Sequence, residues 1–358
     1  MKAIVVTPRK ENTLRIVDQE VPEPGPREVL LEVRRVGVCG TDRDMIAGFY
    51  GEAPADSTYL VLGHESLSRV AKIGDKVGGG FRKGDLVVPT VRRNCVENCL
   101  NCRNGESDMC MTGHYKEHGI KGLHGFAREF AVTDADFMVK LPESLSNIGV
   151  LLEPLTVVEK GVTQTFLIQQ ARMKWKPKNA LVLGAGPVGL LATALLRLKE
   201  LEVDTVATRP RDSLKARLVE QTGASYINAK ETPLMSLENR YDMVLEITGN
   251  TSVALEAQRL IETNGVVSFL GVYKDQQLTE DAGRLFTDLV LGNRTYFGSV
   301  NANRTYFQQG VRNLTRITNR WKGFLDQMIT RTTDPDRFEV AYRPEDEEEI
   351  KTIIQFRS

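Results

Sequence analysis

The chain has no surplus of charge. Its 358 residues carry 47 Lys plus Arg against 47 Asp plus Glu. That balance lacks the positive field that a nucleic-acid or anionic membrane partner would need. No apolar run approaches the ~20 residues that span a bilayer. There is no internal repeat and no low-complexity stretch. No signal-peptide pattern precedes the strand-like Ala3-Ile4-Val5-Val6, so the expected compartment is the cytoplasm. Cysteine is scarce: there are five, and none lies beyond Cys110. What remains is the composition of a soluble globular enzyme, 41% hydrophobic and 26% charged, at a length that suits two domains.

Four of the five cysteines, Cys95, Cys99, Cys102 and Cys110, fall within sixteen residues. Asn94, Asn98, Asn101, Asn104 and Gly105 supply turns between them. Four thiolates this close can fill a tetrahedral zinc shell and leave no position for substrate. The alternative is disulfides, which fit a secreted protein better than a cytosolic one. The spacing Cys95-x3-Cys99 is wider than the usual two, so Cys95 reaches the metal through a bulged loop or a water takes its place. The fifth cysteine, Cys39, stands apart in Gly37-Val38-Cys39-Gly40-Thr41-Asp42, with Gly63-His64-Glu65 downstream. A thiolate, an imidazole and a carboxylate make a second, open zinc site suited to chemistry. On its own, His64 would read as a core histidine. A Gly-rich turn region covers Gly74 to Gly84, and the acidic run Glu345 to Glu349 reads as a solvated helix start.

The first part of the chain reads as short strands broken by Gly, Pro and Asp: Ala3–Val6, Val29–Val36, Ser66–Ile73, Leu86–Val91 and Ala127–Val132. That density of turns predicts an antiparallel, barrel-like domain. Pro154–Gln170 then carries Leu155, Val158, Val162 and Phe166 at helical spacing. From Ala180 to about Val300, strand and helix patterns alternate, as in a parallel sheet with crossover helices. The tail holds an amphipathic helix near Val311–Arg320 and a last strand near Ile350–Phe356.

Gly184-Ala185-Gly186-Pro187-Val188-Gly189 is a GxGxxG between the buried run Ala180–Leu183 and the helix-forming Leu190–Lys199. That is the context of a dinucleotide-binding turn. The first glycine permits the turn, the second lets backbone approach a pyrophosphate, and the third packs helix on strand. The next strand, Asp204–Thr208, leads into Arg209-Pro210-Arg211 rather than an acidic residue. Arginine there can pair with a 2′-phosphate, so NADP is expected to be accepted and preferred over NAD. The alternative is that both arginines are solvated surface charge. Leu245–Asn250 and Phe269–Tyr273 are apolar strands with small ends, which places Thr248 and Gly271 beside the nicotinamide ribose.

In this order, Cys39-Gly40-Thr41-Asp42, Gly63-His64-Glu65, the cysteine lobe and GxGxxG resemble the zinc-dependent medium-chain dehydrogenases. Val61–Glu65, Val88–Arg93, Gly119-Ile120 with Gly125-Phe126, Glu153-Pro154-Leu155 and Gly298–Asn301 look like the archaeal-type glucose dehydrogenases. The resemblance covers nearly the whole chain. It implies an α/β protein with a GroES-like catalytic domain, residues 1–155 plus 305–358, carrying a zinc lobe near 93–112. Residues 156–304 would form a Rossmann, doubly wound NAD(P) domain. It implies zinc ligands Cys39, His64 and Glu153, with Glu65 binding directly or standing behind the ligands. It gives Thr41 the proton from the sugar hydroxyl, Glu117 the sugar hydroxyls, and Asn301 both sugar and nicotinamide. Val91 stands where some relatives carry a sugar-binding asparagine. The implied reaction is oxidation of an aldose (glucose, with galactose or xylose as alternatives) at C1 to a lactone by a homodimer or homotetramer. The competing readings are a zinc alcohol or polyol dehydrogenase and a non-catalytic NADP-binding sensor.

Overall fold

The computed structural model describes residues 1–237, 240–279, 281–343 and 347–357. They form two compact units. The first comprises Met1–Glu153, Asn301–Thr315 and Leu325–Ser358, and the second Pro154–Val300 with Arg316–Phe324. The expected tail segment of the first unit therefore loses Arg316–Phe324 to the second. There the Lys322 carbonyl accepts a hydrogen bond from Gln221 at 3.1 Å.

The first unit is built on the long strand Glu28–Val38, which pairs antiparallel with Glu65–Ile73, Phe130–Asp134 and Lys351–Gln355. Its sheet continues through Leu86–Pro89 to Met138–Lys140 on one side and to Ile329–Thr333 on the other. Alternation along Glu28–Val38 turns Val29, Leu31 and Val33 into the core, and after a register shift between Val33 and Arg35 it resumes with Val36 and Val38. A second small sheet sets Lys2–Val6 between Arg15–Asp18 and Leu60–Val61. Ala3 through Val6 are fully buried. One departure from the antiparallel expectation is that Ile329–Thr333 and Lys351–Gln355 pair in parallel. A parallel pair needs a crossover, and the helix Phe338–Tyr342 lies in that connection. The strand expected at Ala127 begins only at Phe130. Glu345 and Asp346 lie outside the described residues. Glu349 is not a solvated helix start, because its carboxylate pairs with Arg43 at 2.6 Å and Arg331 at 3.2 Å.

In the second unit six parallel strands lie in the spatial order Ser225–Asn228, Glu202–Ala207, Asn179–Leu183, Tyr241–Glu246, Ile261–Phe269, Thr295–Gly298. The order reverses at the first of them in sequence, the doubly wound arrangement whose switch point forms a ligand crevice. Leu181, Leu183, Val206, Val244 and Val267 fill the core on one face. The helix Leu152–Arg172 buries Leu155, Val158 and Val162 completely, while Phe166 meets Trp175 with tilted rings, their centroids 5.4 Å apart. No helix among the described residues is long and apolar enough to cross a membrane.

Candidate active site and metal centres

Cys39 caps the helix Gly40–Ile46. Its Sγ accepts the Thr41 N–H at 3.2 Å, and its own N–H is taken by Asp42 Oδ2 at 3.0 Å. Thiols are poor capping groups beside Ser, Thr, Asp or Asn, so this one is retained for other chemistry. Asp42 is fully buried, and its Oδ1 lies 3.6 Å from His64 Nδ1 and accepts the Gly63 N–H at 3.4 Å. Gly63 has φ +86°, and a Cβ there would strike Val36 at 2.7 Å. Only glycine makes this bend, which sends His64 toward Cys39 and starts the strand at Glu65.

His64 Nε2 lies 3.1 Å from Cys39 Sγ. The ligand atoms of Cys39, His64 and Glu65 all fall within 4.8 Å of one another, close enough to share one ion. Gly37, the cross-strand neighbour of Glu65, clears space for its carboxylate: a Cβ would sit 2.0 Å from Glu65 Oε2. Burial works against a charged His64, but Cys39, Asp42 and Glu153 hold its pKa well above the usual value. A pocket that pulls a proton onto imidazole wants a cation, and a zinc ion would supply it. His64 Nδ1 makes no hydrogen bond to the described residues and faces Asp42, the arrangement in which a carboxylate orients a metal-binding imidazole. The residues therefore fit the metal.

Glu65 has another partner. Lys351 Nζ donates to both its oxygens at 2.7 Å and to the Val38 carbonyl at 3.1 Å. Glu153, in the first turn of its helix, stands outside the three-ligand set but close enough to interact with His64 and Glu65. Burial pushes its carboxyl above the ordinary range. Thr41 lies close enough to Tyr50 to interact with its hydroxyl, whose pKa is raised chiefly by burial. Glu117 is buried, and its Oε1 accepts from Asn301 Nδ2 at 3.0 Å. Asn301 adopts φ +59°, a left-handed conformation that asparagine tolerates.

The four lobe thiols converge, Cys95 included, with sulfurs within 4.8 Å of one another. All five cysteines are free of disulfides. Backbone N–H groups point at the sulfurs: Cys99 to Cys95 at 3.2 Å, Cys95 to Cys102 at 3.4 Å and Met111 to Cys99 at 3.5 Å. The N–H groups of Met111 and Cys102 lower the Cys99 thiol to about 6, toward the thiolate a metal binds. The wide first gap is absorbed at Asn98, which turns with φ +46°.

In the second unit the glycine-rich turn follows the strand Asn179–Leu183 and opens the helix Pro187–Leu198 with Pro187 at its start. Gly184 has φ +111°. A Cβ on Gly189 would lie 1.9 Å from the Gly184 carbonyl oxygen, so helix and turn pack too closely for any other residue. A Cβ on Gly186 would meet nothing within 4 Å, which leaves open space at the helix N-terminus beside Pro187 and Val188. Free N–H groups and the positive dipole end there suit a pyrophosphate. Thr248 donates its N–H to Glu246 Oε1 at 2.7 Å and its hydroxyl to the same oxygen. Tyr273 donates to Glu246 Oε2. A Cβ on Gly271 would crowd the Gly249 nitrogen at 2.4 Å. Arg209 is half-buried just past the strand Glu202–Ala207, and its carbonyl accepts the Tyr226 hydroxyl at 2.7 Å. Arg211 is exposed and lies 3.4 Å from Glu231, which favours a surface role for it.

Three residues of these networks escaped the sequence reading. Asp42 had a signal, lying three residues past the capping Cys39. Arg92, 2.9 Å from Glu117, sits opposite it on neighbouring strands. Lys351 had no signal, since it joins Glu65 across 286 residues.

Residues 25–143 match the alcohol dehydrogenase GroES-like domain, and residues 146–356 the glucose dehydrogenase C-terminus. Glucose 1-dehydrogenase of Methanocella arvoryzae is 44% identical over 359 residues, covering 99% of each chain. That of Thermoproteus tenax is 45% identical over 358 residues, covering 100% of each. Haloferax mediterranei glucose dehydrogenase, solved in complex with NADP, Zn and gluconolactone, superposes with a TM-score of 0.92 at 32% identity over 100% of both chains. Similar to these relatives from end to end, the chain belongs to the glucose dehydrogenase family of the zinc-dependent medium-chain dehydrogenases.

Proposed function

We propose that this chain is an NAD(P)-dependent glucose 1-dehydrogenase. The reaction moves a hydride from C1 of the pyranose to NAD(P)+ and releases the C1 hydroxyl proton, giving the lactone. The observation that carries the reading is the Cys39–His64–Glu65 set, half-buried at Cys39 and buried at the other two, with Asp42 behind His64, in a chain that matches glucose 1-dehydrogenases along its whole length. A zinc ion would be held there by Cys39 and His64, with a third ligand from Glu153 or Glu65, and would supply Lewis acidity toward the C1 hydroxyl. Thr41 takes up the hydroxyl proton. Glu117 and Asn301 bind the sugar hydroxyls. Gly184, Gly186 and Gly189 shape the pyrophosphate seat, and Arg209 selects NADP through its 2′-phosphate. Cys95, Cys99, Cys102 and Cys110 hold a second, structural zinc. The working form is a homodimer or homotetramer in the cytoplasm, where the five thiols stay reduced.

Steady-state assays on glucose, galactose, xylose, polyols and simple secondary alcohols with both cofactors, read by absorbance of the reduced nicotinamide, test this. Glucose with NADP should lead, and metal analysis should find two zinc ions per chain. Arg209→Ala should raise the KM for NADP about ten-fold or more over any change for NAD, the value of one charge-assisted hydrogen bond. Turnover of polyols without aldoses would move the assignment to a polyol dehydrogenase.

A further inference from the structure

Glu117 and Arg92 face each other across the antiparallel pair Arg92–Arg93 and Lys116–His118. Arg92 is 4% exposed and is gripped on several sides. Its Nε donates to Glu117 Oε1 at 3.0 Å, with Nη2 2.9 Å from the same oxygen. Its Nη1 donates to the Asp108 carbonyl at 3.1 Å. Its guanidinium lies 3.6 Å over the Tyr115 ring centroid. Asn301 Nδ2 adds a third nitrogen to Glu117 Oε1 at 3.0 Å. Glu117 Oε2 accepts no hydrogen bond from the described residues, although 10% of the side chain stays open.

The asymmetry has a chemical meaning. A carboxylate oxygen with three nitrogens on it has little accepting capacity left. The second oxygen of the same group keeps its lone pairs and its share of the delocalised charge. A planar guanidinium locked by a carbonyl and an aromatic face fixes which oxygen is which, and a lysine ammonium could not.

We infer that Arg92 is a positioning residue for sugar selection: it turns Glu117 so that Oε1 is filled and Oε2 is presented to one hydroxyl of the substrate. This rests on the reading of the chain as an aldose dehydrogenase. Arg92 itself does not touch the sugar. It converts a symmetric acceptor into a single directed one, so discrimination is concentrated on one hydroxyl rather than spread over the ring. A site that hydrogen-bonds a particular hydroxyl discriminates strongly against the analogue lacking it.

The test compares wild type, Arg92→Lys and Glu117→Gln on glucose and on its 2-, 3-, 4- and 6-deoxy analogues. Arg92→Lys should raise the KM for glucose about ten-fold or more, with the KM for NADP and the zinc content unchanged. That factor should shrink toward one on a single deoxy analogue, and the same analogue should stand out for Glu117→Gln. A loss of equal size on every sugar, a matching rise in the KM for NADP, or no change at all would overturn the inference. Should Arg92→Lys fail to fold, Glu117→Gln still decides: no analogue standing out sinks the directed-acceptor role. Absence of aldose turnover by the wild type would instead remove the underlying assignment, and this inference with it.

Discussion

Glu65 and Glu153 present two carboxylates to one metal position with different surroundings. Glu65 is within ligand reach but is held by Lys351, both side chains being 2% exposed. Removing either partner strands a buried charge, which costs about 3–5 kcal/mol. Burial penalises the charge of Glu153 while no metal is bound, so its raised pKa marks a carboxyl that gains from a nearby cation. Glu153→Ala is therefore expected to keep the melting temperature of the apo chain while lowering zinc retention and most of kcat. Glu65→Ala and Lys351→Met should both lower the melting temperature, and Glu65→Ala should lose less zinc. Calorimetry with metal analysis on the three variants checks this, and full zinc retention in Glu153→Ala would assign the third ligand to Glu65. Cys39, His64 and the lobe cysteines were legible in the sequence because their residue types are chemically rare and closely spaced. Lys351 was not, because a lysine in a strand carries no mark of the carboxylate it will meet.

At the scale of elements, the strand–turn–helix around Gly184–Gly189 was readable because strand, glycine spacing and helix former all agree. Its glycines nonetheless do different work. A methyl at Gly189 collides with backbone at 1.9 Å, whereas one at Gly186 enters open space. Gly189→Ala should therefore destabilise the second unit by a few kcal/mol, in the range of overpacked sites. Gly186→Ala should fold with a wild-type melting temperature yet bind NADP at least ten-fold more weakly, because the methyl takes room the pyrophosphate needs. Thermal melts without cofactor and titration of NADP by fluorescence separate the two. Equal melting temperatures for both variants would refute the packing argument. Other elements left little trace in sequence. Phe324–Met328 and Phe338–Tyr342 are five residues each, too short for helical periodicity to show. Ile329–Thr333 is recruited by a parallel pairing with Lys351–Gln355 that no local pattern announces.

For the whole molecule, a net charge of zero says little about how stability varies with pH, because that depends on which groups shift on folding. Two imidazoles stand out. Burial, reinforced by Arg93, drives His118 well below its ordinary 6.5, while its Nδ1 donates to the His124 carbonyl at 2.7 Å. Burial and Arg128 lower His124 to about 4, and its Nδ1 accepts the Val61 N–H at 3.2 Å, so it is bare of hydrogen there. Both are held neutral in the fold and take a proton more readily when unfolded. Their contribution is therefore fully present above pH 6.5 and is lost as pH falls from 6.5 toward 4. His124 is only partly buried, so its share is discounted, and the pair is expected to cost the protein several degrees of melting temperature between pH 7 and pH 5. The zinc-loaded protein should show that slope. His124→Gln, which keeps an uncharged acceptor for Val61, should flatten it, because one of the two protons no longer binds on unfolding. An unchanged slope in the variant would mean that the acid sensitivity arises elsewhere, from protonation of the metal-binding thiolates and carboxylates.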